Sequence, residues 1–478
     1  MSRYEAVTDS AVQDSFVETS TDPLSCEATR IEGARSPFST EDQSPISRLP
    51  MELLSKIFLY IVSDKWLDDS NTTKIVVKTL ARVCAAWRAA AHGTAGLWTV
   101  INSKESHVSL DDQLAYSAAL PLHLDHWEAD LPRNVVLSRF LGQVGVHMQR
   151  VESLFFSTTC ESLAAIPVQN MPALLRAHII YTRRYNPNIL NFLANATALT
   201  DLTLQGARCN MTSHVDALRS PSFPSLTRMT LVLDSNVRPE WFLSTIAQCG
   251  TANLTFLDLA FSSLSSRAAP ALDFAPDVLT LPVLRTLVIA NENHKMLRHM
   301  HAPQLESIVF RDMYDIGDPF VSFGRFLAHT PLPSVRTLEL HETNGDYSAL
   351  LACLALLPDL DRMAITWGHI DSMFVMVEVY DHFEGPLTEE LLDRMTGDSE
   401  RPPLVPRLTS VDFNISHDNC MKISKPALRR FIRSRRAPSV RGGCSVAALE
   451  KVRVAGIYDT DNDFECDGDR DGAVHSVE

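Results

Sequence analysis

The feature that most constrains this chain is a short phrase that keeps returning along it. It reads PSLTRMTLVL, PVLRTLVIAN, PQLESIVFRD, PSVRTLELHE, PDLDRMAITW and PRLTSVDFNI, with looser copies RVESLFF, ALLRAHI, ALTDLTL, NLTFLDL and ALEKVRV. Each copy is apolar at positions one, four and six, and position one falls at residues 151, 174, 199, 226, 254, 284, 305, 335, 360, 408 and 449. Positions four and six are two apart, so on an extended strand both side chains point the same way. One such strand is too short to bury its own apolar face. Copies stacked side by side make a parallel sheet over a continuous core. Pro172, Pro224, Pro282, Pro303, Pro333, Pro358 and Pro406 each stand two residues before position one. A missing N–H is harmless there, and the ring stops a preceding helix.

The first eight intervals between copies span 21 to 30 residues, and the last two are 48 and 41. That is close to the leucine-rich-repeat period of about 20–29 residues, in which each unit is a strand plus a returning helix or turn. The asparagine expected at position nine is replaced by Asp234, Ser262, Glu292, Met313 and Thr343, so the region resembles a degenerate, irregular array of that kind. Helix-like pieces lie between phrases, such as PEWFLSTIAQCG, with Pro239 near its start and Gly250 at its stop. The long interval after residue 360 is predicted to hold a helical insertion around GPLTEELLDRM. Positions three, five and seven point away from the core and are expected to line a concave face. The target-binding candidates there are Phe256, Asp258, Arg311, Glu339, His341 and Arg362, with Trp367 nearby and Asp412 beyond. This is the aromatic-plus-charged mixture from which interface anchors are drawn.

Ahead of the repeats, SRLPMELLSKIFLYIVSD predicts a helix from about Pro50 carrying Leu53, Leu54, Ile57, Phe58 and Ile61 as a wide apolar stripe. A second amphipathic helix is predicted over KIVVKTLARVCAAWRAAAHG, with Val76, Leu80, Val83, Cys84, Trp87 and Ala91 at steps of three and four, and Gly93 as its stop. A unit of about 58 residues cannot hide two broad stripes plus Trp87 and Trp98 within itself. The excess must face the rest of the chain or a partner. The run Leu49-Pro50-x-Glu52-Leu53-Leu54-x-x-Ile57-Phe58, then Leu80-x-x-Val83-Cys84-x-x-Trp87-Arg88, then Leu97-Trp98, resembles an F-box. The resemblance implies docking on the small adaptor of SCF (Skp–cullin–F-box) ubiquitin ligases. Leu49 and Pro50 would begin the contact. Leu53, Leu54, Ile57, Phe58, Leu80, Val83, Cys84 and Trp87 would fill the adaptor groove or hold the helices in place. The sequence departs from the family in a longer inter-helix loop and in Ala95, where proline is usual. The alternative is that these helices only cap the end of the following repeats.

Charge narrows the partners. The net charge is −15, but residues 1–44 hold nine acidic and three basic side chains, and residues 459–478 hold eight acidic and one basic. The tails therefore carry −6 and −7, leaving −2 for everything between them. No concentrated basic footprint for nucleic acid is expected. No apolar run reaches the length of a membrane span, and MSRYEAVTDSAVQDS lacks the apolar core of a secretory signal. Nine cysteines without a CxxC pair fit reduced thiols in the cytosol or nucleus.

Three chemical motifs are tempting. DGDRDGAVHSVE matches a calcium loop at Asp467, Asp469, Asp471, Gly472 and Glu478, but lacks an exiting helix and reads as an acidic, solvated tail. His294, His299 and His301 cluster without a carboxylate or cysteine at ligand spacing, so no metal is expected. KPALRRFIRSRRAPSVR, residues 425–441, has seven basic residues and reads as a basic helix face, or else as a nuclear-import signal or a patch for an acidic partner. No catalytic motif is recognisable and no cofactor is expected.

The sequence thus predicts an α/β protein: an acidic Ser/Thr-rich tail at 1–44, a small helical F-box at 45–103, an irregular leucine-rich-repeat solenoid with a parallel sheet on its concave face at 104–458, and an acidic tail at 459–478. The expected role is a non-catalytic substrate receptor of an SCF-type ligase, with the adaptor and cullin and an unknown target protein as partners, and neither nucleic acid nor membrane. The alternative is a binding scaffold whose F-box-like cap recruits no ligase.

Overall fold

The computed structural model describes residues 49–63, 70–128, 137–182, 186–207, 219–233, 239–261, 278–313, 317–330, 334–367, 387–398, 400–415 and 425–455. The chain divides into two units, Met1–Pro50 and Met51–Glu478, and the fold described is that of the second. Both acidic tails, the calcium-like loop and the linker at 64–69 lie outside the described residues.

Thirteen described strands form one sheet, entirely parallel and in chain order. The architecture is mixed α/β, consistent with the leucine-rich-repeat reading. Every phrase from Val151 onward contributes one strand, and the register is the one the phrases dictate. Leu154 pairs with Ala177, then Leu202, Met229, Leu257, Leu287, Ile308, Leu338, Met363, Val411 and Val452, all position four. A one-residue slip at any junction would turn a whole apolar face to solvent, which fixes the register.

The backbone repeats as faithfully as the side chains. The carbonyl at position two accepts from the N–H groups of positions two and three in the next repeat, from Leu175 receiving Thr200 and Asp201 through Thr409 receiving Glu450 and Lys451. The prolines do more than stop helices. Leu174, Leu226, Leu284, Leu305, Leu360 and Leu408 each donate to a carbonyl three residues back, placing the proline second in a hydrogen-bonded turn. The residue opening that turn is Met171, Phe223, Leu281, Ala302, Leu357 or Val405, and all six are buried. The repeat therefore has a further apolar position, three before position one.

Helices return the chain on one side. Pro239–Cys249 and Glu389–Thr396 fall where the sequence predicts them, and Pro319–His329 and Tyr347–Ala355 fill two other intervals. Asp318 and Asp346 cap the last two through side-chain oxygens that accept from the first-turn N–H groups. Phe242, Ile246, Phe320, Phe323, Leu350, Leu391 and Phe431 join positions four and six in one continuous core.

The sheet begins earlier than the first phrase. Val100–Asn102 and Leu122–Trp127 precede Val151–Thr159 as strands one and two, so the sheet starts within the span read as the helical unit. Met51–Ser63 (α1), Ser70–Val83 (α2) and Ala85–Gly93 (α3) lead into this edge through the short turn of helix Ala95–Trp98. Trp98 Nε1 donates to the Ala91 carbonyl at 2.8 Å, and Lys78 reaches Glu105 at 3.3 Å.

Two arginines of the basic segment are built into the fold. Arg435 is fully buried at the end of the helix Lys425–Ser434, donating to the carbonyls of Met395 (2.7 Å), Leu404 (3.1 Å), Val405 (3.3 Å) and Pro406 (3.2 Å). Arg441 donates to Thr396 at 2.8 Å and Ser434 at 2.9 Å. Arg430 pairs with Asp393 at 2.8 Å. Two of the arginines thus satisfy carbonyls left open at helix ends, which a freely extended import signal could not do.

Candidate functional site: a helical face and an open sheet face

The stripe on α1 divides in two. Leu54, Phe58 and Val62 are buried, whereas Leu53 and Ile57 are 45% and 41% exposed, with Met51, Tyr60 and Ile61 also open to solvent. On α2, Leu80 is buried and Val83 is exposed. Trp87 is half-buried against Phe58, with ring centroids 5.1 Å apart. Cys84 is exposed and caps α3, its Sγ accepting from the Trp87 N–H at 3.5 Å. Of the ten residues read as adaptor-binding, Leu54, Phe58, Leu80 and Trp87 hold the helices together. Pro50, Leu53, Ile57, Val83 and Cys84 are exposed, and Leu49 directly precedes Pro50.

The second surface is the side of the sheet opposite the helices. Positions three, five and seven lie on it, and the charges there pair across strands. Arg311 reaches Asp258 at 2.8 Å, crossing the strand Thr286–Ala290, whose Val288 is buried. Glu339 meets His341 at 3.3 Å and Arg362 at 3.7 Å; the His341 hydrogen bond first, and Arg362 after it, hold the Glu339 carboxyl below its ordinary range. Asp412 lies 3.9 Å from Arg453. The Arg228 guanidinium sits 4.0 Å above the Phe256 ring, a cation–π contact, and pairs with Asp201 at 3.6 Å.

Trp367 is the exception among the eight target-binding candidates. It stands at position eight, which shares the parity of positions four and six, and it is buried in the core. It does not belong to the open face.

The candidates named from sequence all lie from the central, seventh strand onward. The first half carries an aromatic row that the repeating phrase does not pick out. Trp127 stacks on Phe155 with centroids 5.6 Å apart and planes 14° from parallel, and Phe155 meets the edge of His178 at 4.8 Å. Trp127 is 37% exposed, and the other two are half-buried. Burial lowers the His178 pKa, against the opposing pull of Asp201, so the ring is neutral at neutral pH. The signal available in the sequence was Trp127 at position seven and Phe155 at position five, where this chain otherwise favours small or polar residues.

The histidine cluster separates in the structure. His294 is buried and shares a 3.0 Å hydrogen bond with Ser322, while His299 accepts from Arg298 at 2.7 Å. Among the described residues no group of three or more His, Cys, Asp or Glu is placed to hold a metal ion. Cys249 and Cys353 are buried thiols whose pKa values desolvation pushes up to about 12, which makes them packing residues. No described helix is long and apolar enough to cross a membrane.

No family model matches the chain, and no curated protein matches it. Among solved structures it is similar to the leucine-rich repeat-containing protein LegL7 from Legionella pneumophila. The two are 16% identical, and the match covers 57% of this chain and 83% of that one, with a TM-score of 0.29. At that score the likeness carries no argument. The repeat reading stands on the register and the hydrogen-bond ladder.

Proposed function

We propose that this protein is a non-catalytic, repeat-based receptor that binds a target protein on its open sheet face and couples it to an SCF-type ubiquitin ligase through α1–α3. The observation that carries the coupling is the divided stripe. Half of it closes the helical unit, and the other half, Leu53, Ile57, Tyr60 and Ile61 with Val83, lies exposed. The α1 residues fall at steps of four, three and one, on one helix face, and an apolar face of this kind is costly to leave in water and supports a docking surface. The matching positions of the F-box resemblance supply the partner, the small adaptor and through it the cullin. Five described cysteines are free thiols, which supports a reducing compartment, the cytosol or nucleus.

The test is Leu53→Glu with Ile57→Glu in the full chain, followed by co-purification with adaptor and cullin. Burying each large apolar side chain contributes roughly 1.5–3 kcal/mol, so losing two weakens binding by orders of magnitude. Adaptor recovery from the double variant equal to wild type sinks the coupling.

A second reading is a binding scaffold whose helices only cap the sheet. It is favoured by the tie between α3 and the first strand: Trp98 bonded to Ala91, Leu97 buried, and Val100 already in the sheet. Absence of adaptor from the wild-type preparation selects this reading.

A further inference from the structure

On the open face, the largest aromatic side chains with no ion pair or cation lying across them among the described residues gather at the N-terminal end. In the second half, Arg311 and Asp258 bridge over Val288, and Arg228 covers Phe256. Among the described residues the row of Trp127, Phe155 and His178 has no such lid, and Ile180 extends it on the same face. Among the described residues, the charges around the row are paired or hydrogen-bonded. Arg176 pairs with Glu152 at 3.1 Å, and Asp201 with Arg228. Glu128 accepts from the Thr158 hydroxyl and the Thr159 N–H, Asp125 accepts from Asn102 at 2.8 Å, and His123 shares a 2.7 Å hydrogen bond with Ser153. A cationic partner group would have to compete with the hydrogen bonds that Asp125 and Glu128 already accept, and an anionic one would meet those carboxylates, so either would lose hydration for little return.

We propose that the target is anchored here by an uncharged apolar or aromatic side chain, presented by an extended segment of the target and seated on the Trp127–Phe155–His178 shelf. This rests on the reading of the open face as the target-binding surface, and names the chemistry of what binds there. The match is one of chemistry: the three shelf side chains carry no charge, the flanking Arg176–Glu152 and Arg228–Asp201 pairs are closed, and the neighbouring carboxylates of Asp125 and Glu128 are hydrogen-bonded. A stacked indole and phenyl offer a flat, rigid contact area at little entropic cost, and Trp is enriched among interface anchors. The simpler account is a cross-strand aromatic pair that only stabilises the sheet. The two accounts differ in whether exposed Trp127 matters for binding.

The probe is a phage-displayed library of random dodecapeptides selected on the immobilised full-length protein. The shelf predicts enrichment of peptides with a Trp, Phe, Leu or Met anchor and near-zero net charge. A synthetic peptide from the selection should lose at least tenfold in affinity to Trp127→Ala and retain most of it with Trp127→Phe. It should be unaffected by Val440→Ala, which removes an exposed apolar side chain elsewhere. Thermal unfolding of Trp127→Ala close to wild type shows that the lost affinity is not lost fold. If selection enriches charged peptides, enriches nothing, or yields peptides that bind Trp127→Ala as well as wild type, the proposal is overturned. Adaptor recovery is scored separately on the same variants. It decides the ligase coupling, while the peptide result decides the shelf.

Discussion

His126 occupies position six of the second strand, where every later repeat places Phe, Ile, Leu or Val. It is fully buried, with both ring nitrogens lacking a hydrogen-bond partner among the described residues, and it lies between Phe140 at 6.1 Å and Phe156 at 6.2 Å. Desolvation dominates, outweighing nearby Glu128, and lowers its pKa to about 4. The unfolded chain takes up a proton near the ordinary value of about 6.5, which the folded chain refuses until about 4. Stability is therefore full above pH 6.5 and falls as pH drops towards 4, by about 2 kcal/mol at pH 5. His126→Leu is expected to stabilise by about 1–3 kcal/mol at pH 7.5, by removing two unsatisfied nitrogens from the core. It should also flatten the loss between pH 6.5 and 4. Denaturant midpoints at pH 7.5 and pH 5 for both proteins check this; an equal pH dependence in the two shows that another group is responsible. The same residue explains why the first two strands were illegible. Leu122 stands opposite Val151 with a register shift before His123, so the second strand's first apolar place is displaced by one residue and its position six is His126, while the first strand is followed by Ser103 at position six. The later strands were legible because all three places are apolar and the burial that selects them is the same in each.

At the scale of elements, each helix has a role that sequence periodicity exposes only in part. The α1 stripe was visible, but its division was not, because a helical pattern does not say which half meets its own neighbours. Phe58→Ala should cost about 3–5 kcal/mol, since the ring is fully buried against Trp87. Leu53→Glu should stay within about 0.5 kcal/mol of wild type, since its side chain faces water. Chemical denaturation separates the two, and equal losses show that the stripe is not divided. The helix Glu389–Thr396 ends at Gly397, which has φ +66° and lies so close to Pro403 that an added Cβ would meet it at 2.8 Å. Arg435 serves the carbonyls around that end, and desolvation, with Arg441 second, lowers its pKa to about 10. Arg435→Met should therefore leave several buried acceptors open, at about 1–3 kcal/mol each, and Arg435→Lys should rescue little because an ammonium cannot fork among them. Hydrogen exchange confined to residues 389–398 reads this loss. Unchanged protection there shows that the helix end is held by packing instead. The basic segment looked like a surface address in sequence because the partners of Arg435 and Arg441 are backbone carbonyls, and a sequence displays no carbonyls.

Across the whole molecule, the two ends of the sheet are finished differently, and an interior cut is not finished at all. The first strand is preceded by the α1–α3 unit and bonded to the second along Val100–Asn102. The last, Lys451–Ala455, is the edge strand among the described residues and carries Lys451 and Arg453, charged side chains that discourage pairing with another chain. A chain ending at Leu332 would make Ser307–Met313 the edge instead. Its Ile308 and Phe310 would lose the strand Thr337–Thr343, and the helix Pro319–His329 would lose the neighbour whose Cys353 thiol donates to the Phe320 carbonyl at 3.1 Å. Phe320 and Phe323, buried in the intact protein, pack on Phe310 at 6.4 and 5.3 Å and would be partly uncovered with it. Because each repeat buries its core only against its neighbours, the damage should spread inward from the cut. The shortened protein is expected to aggregate, or to show a broadened transition with its midpoint well below that of the full chain. Light scattering coupled to size exclusion, with thermal unfolding on the same samples, measures both. A monodisperse monomer that unfolds in one sharp step at the full-length midpoint would mean that the repeats up to His329 form a closed unit of their own, and that the thirteen strands do not stabilise one another as a continuous array.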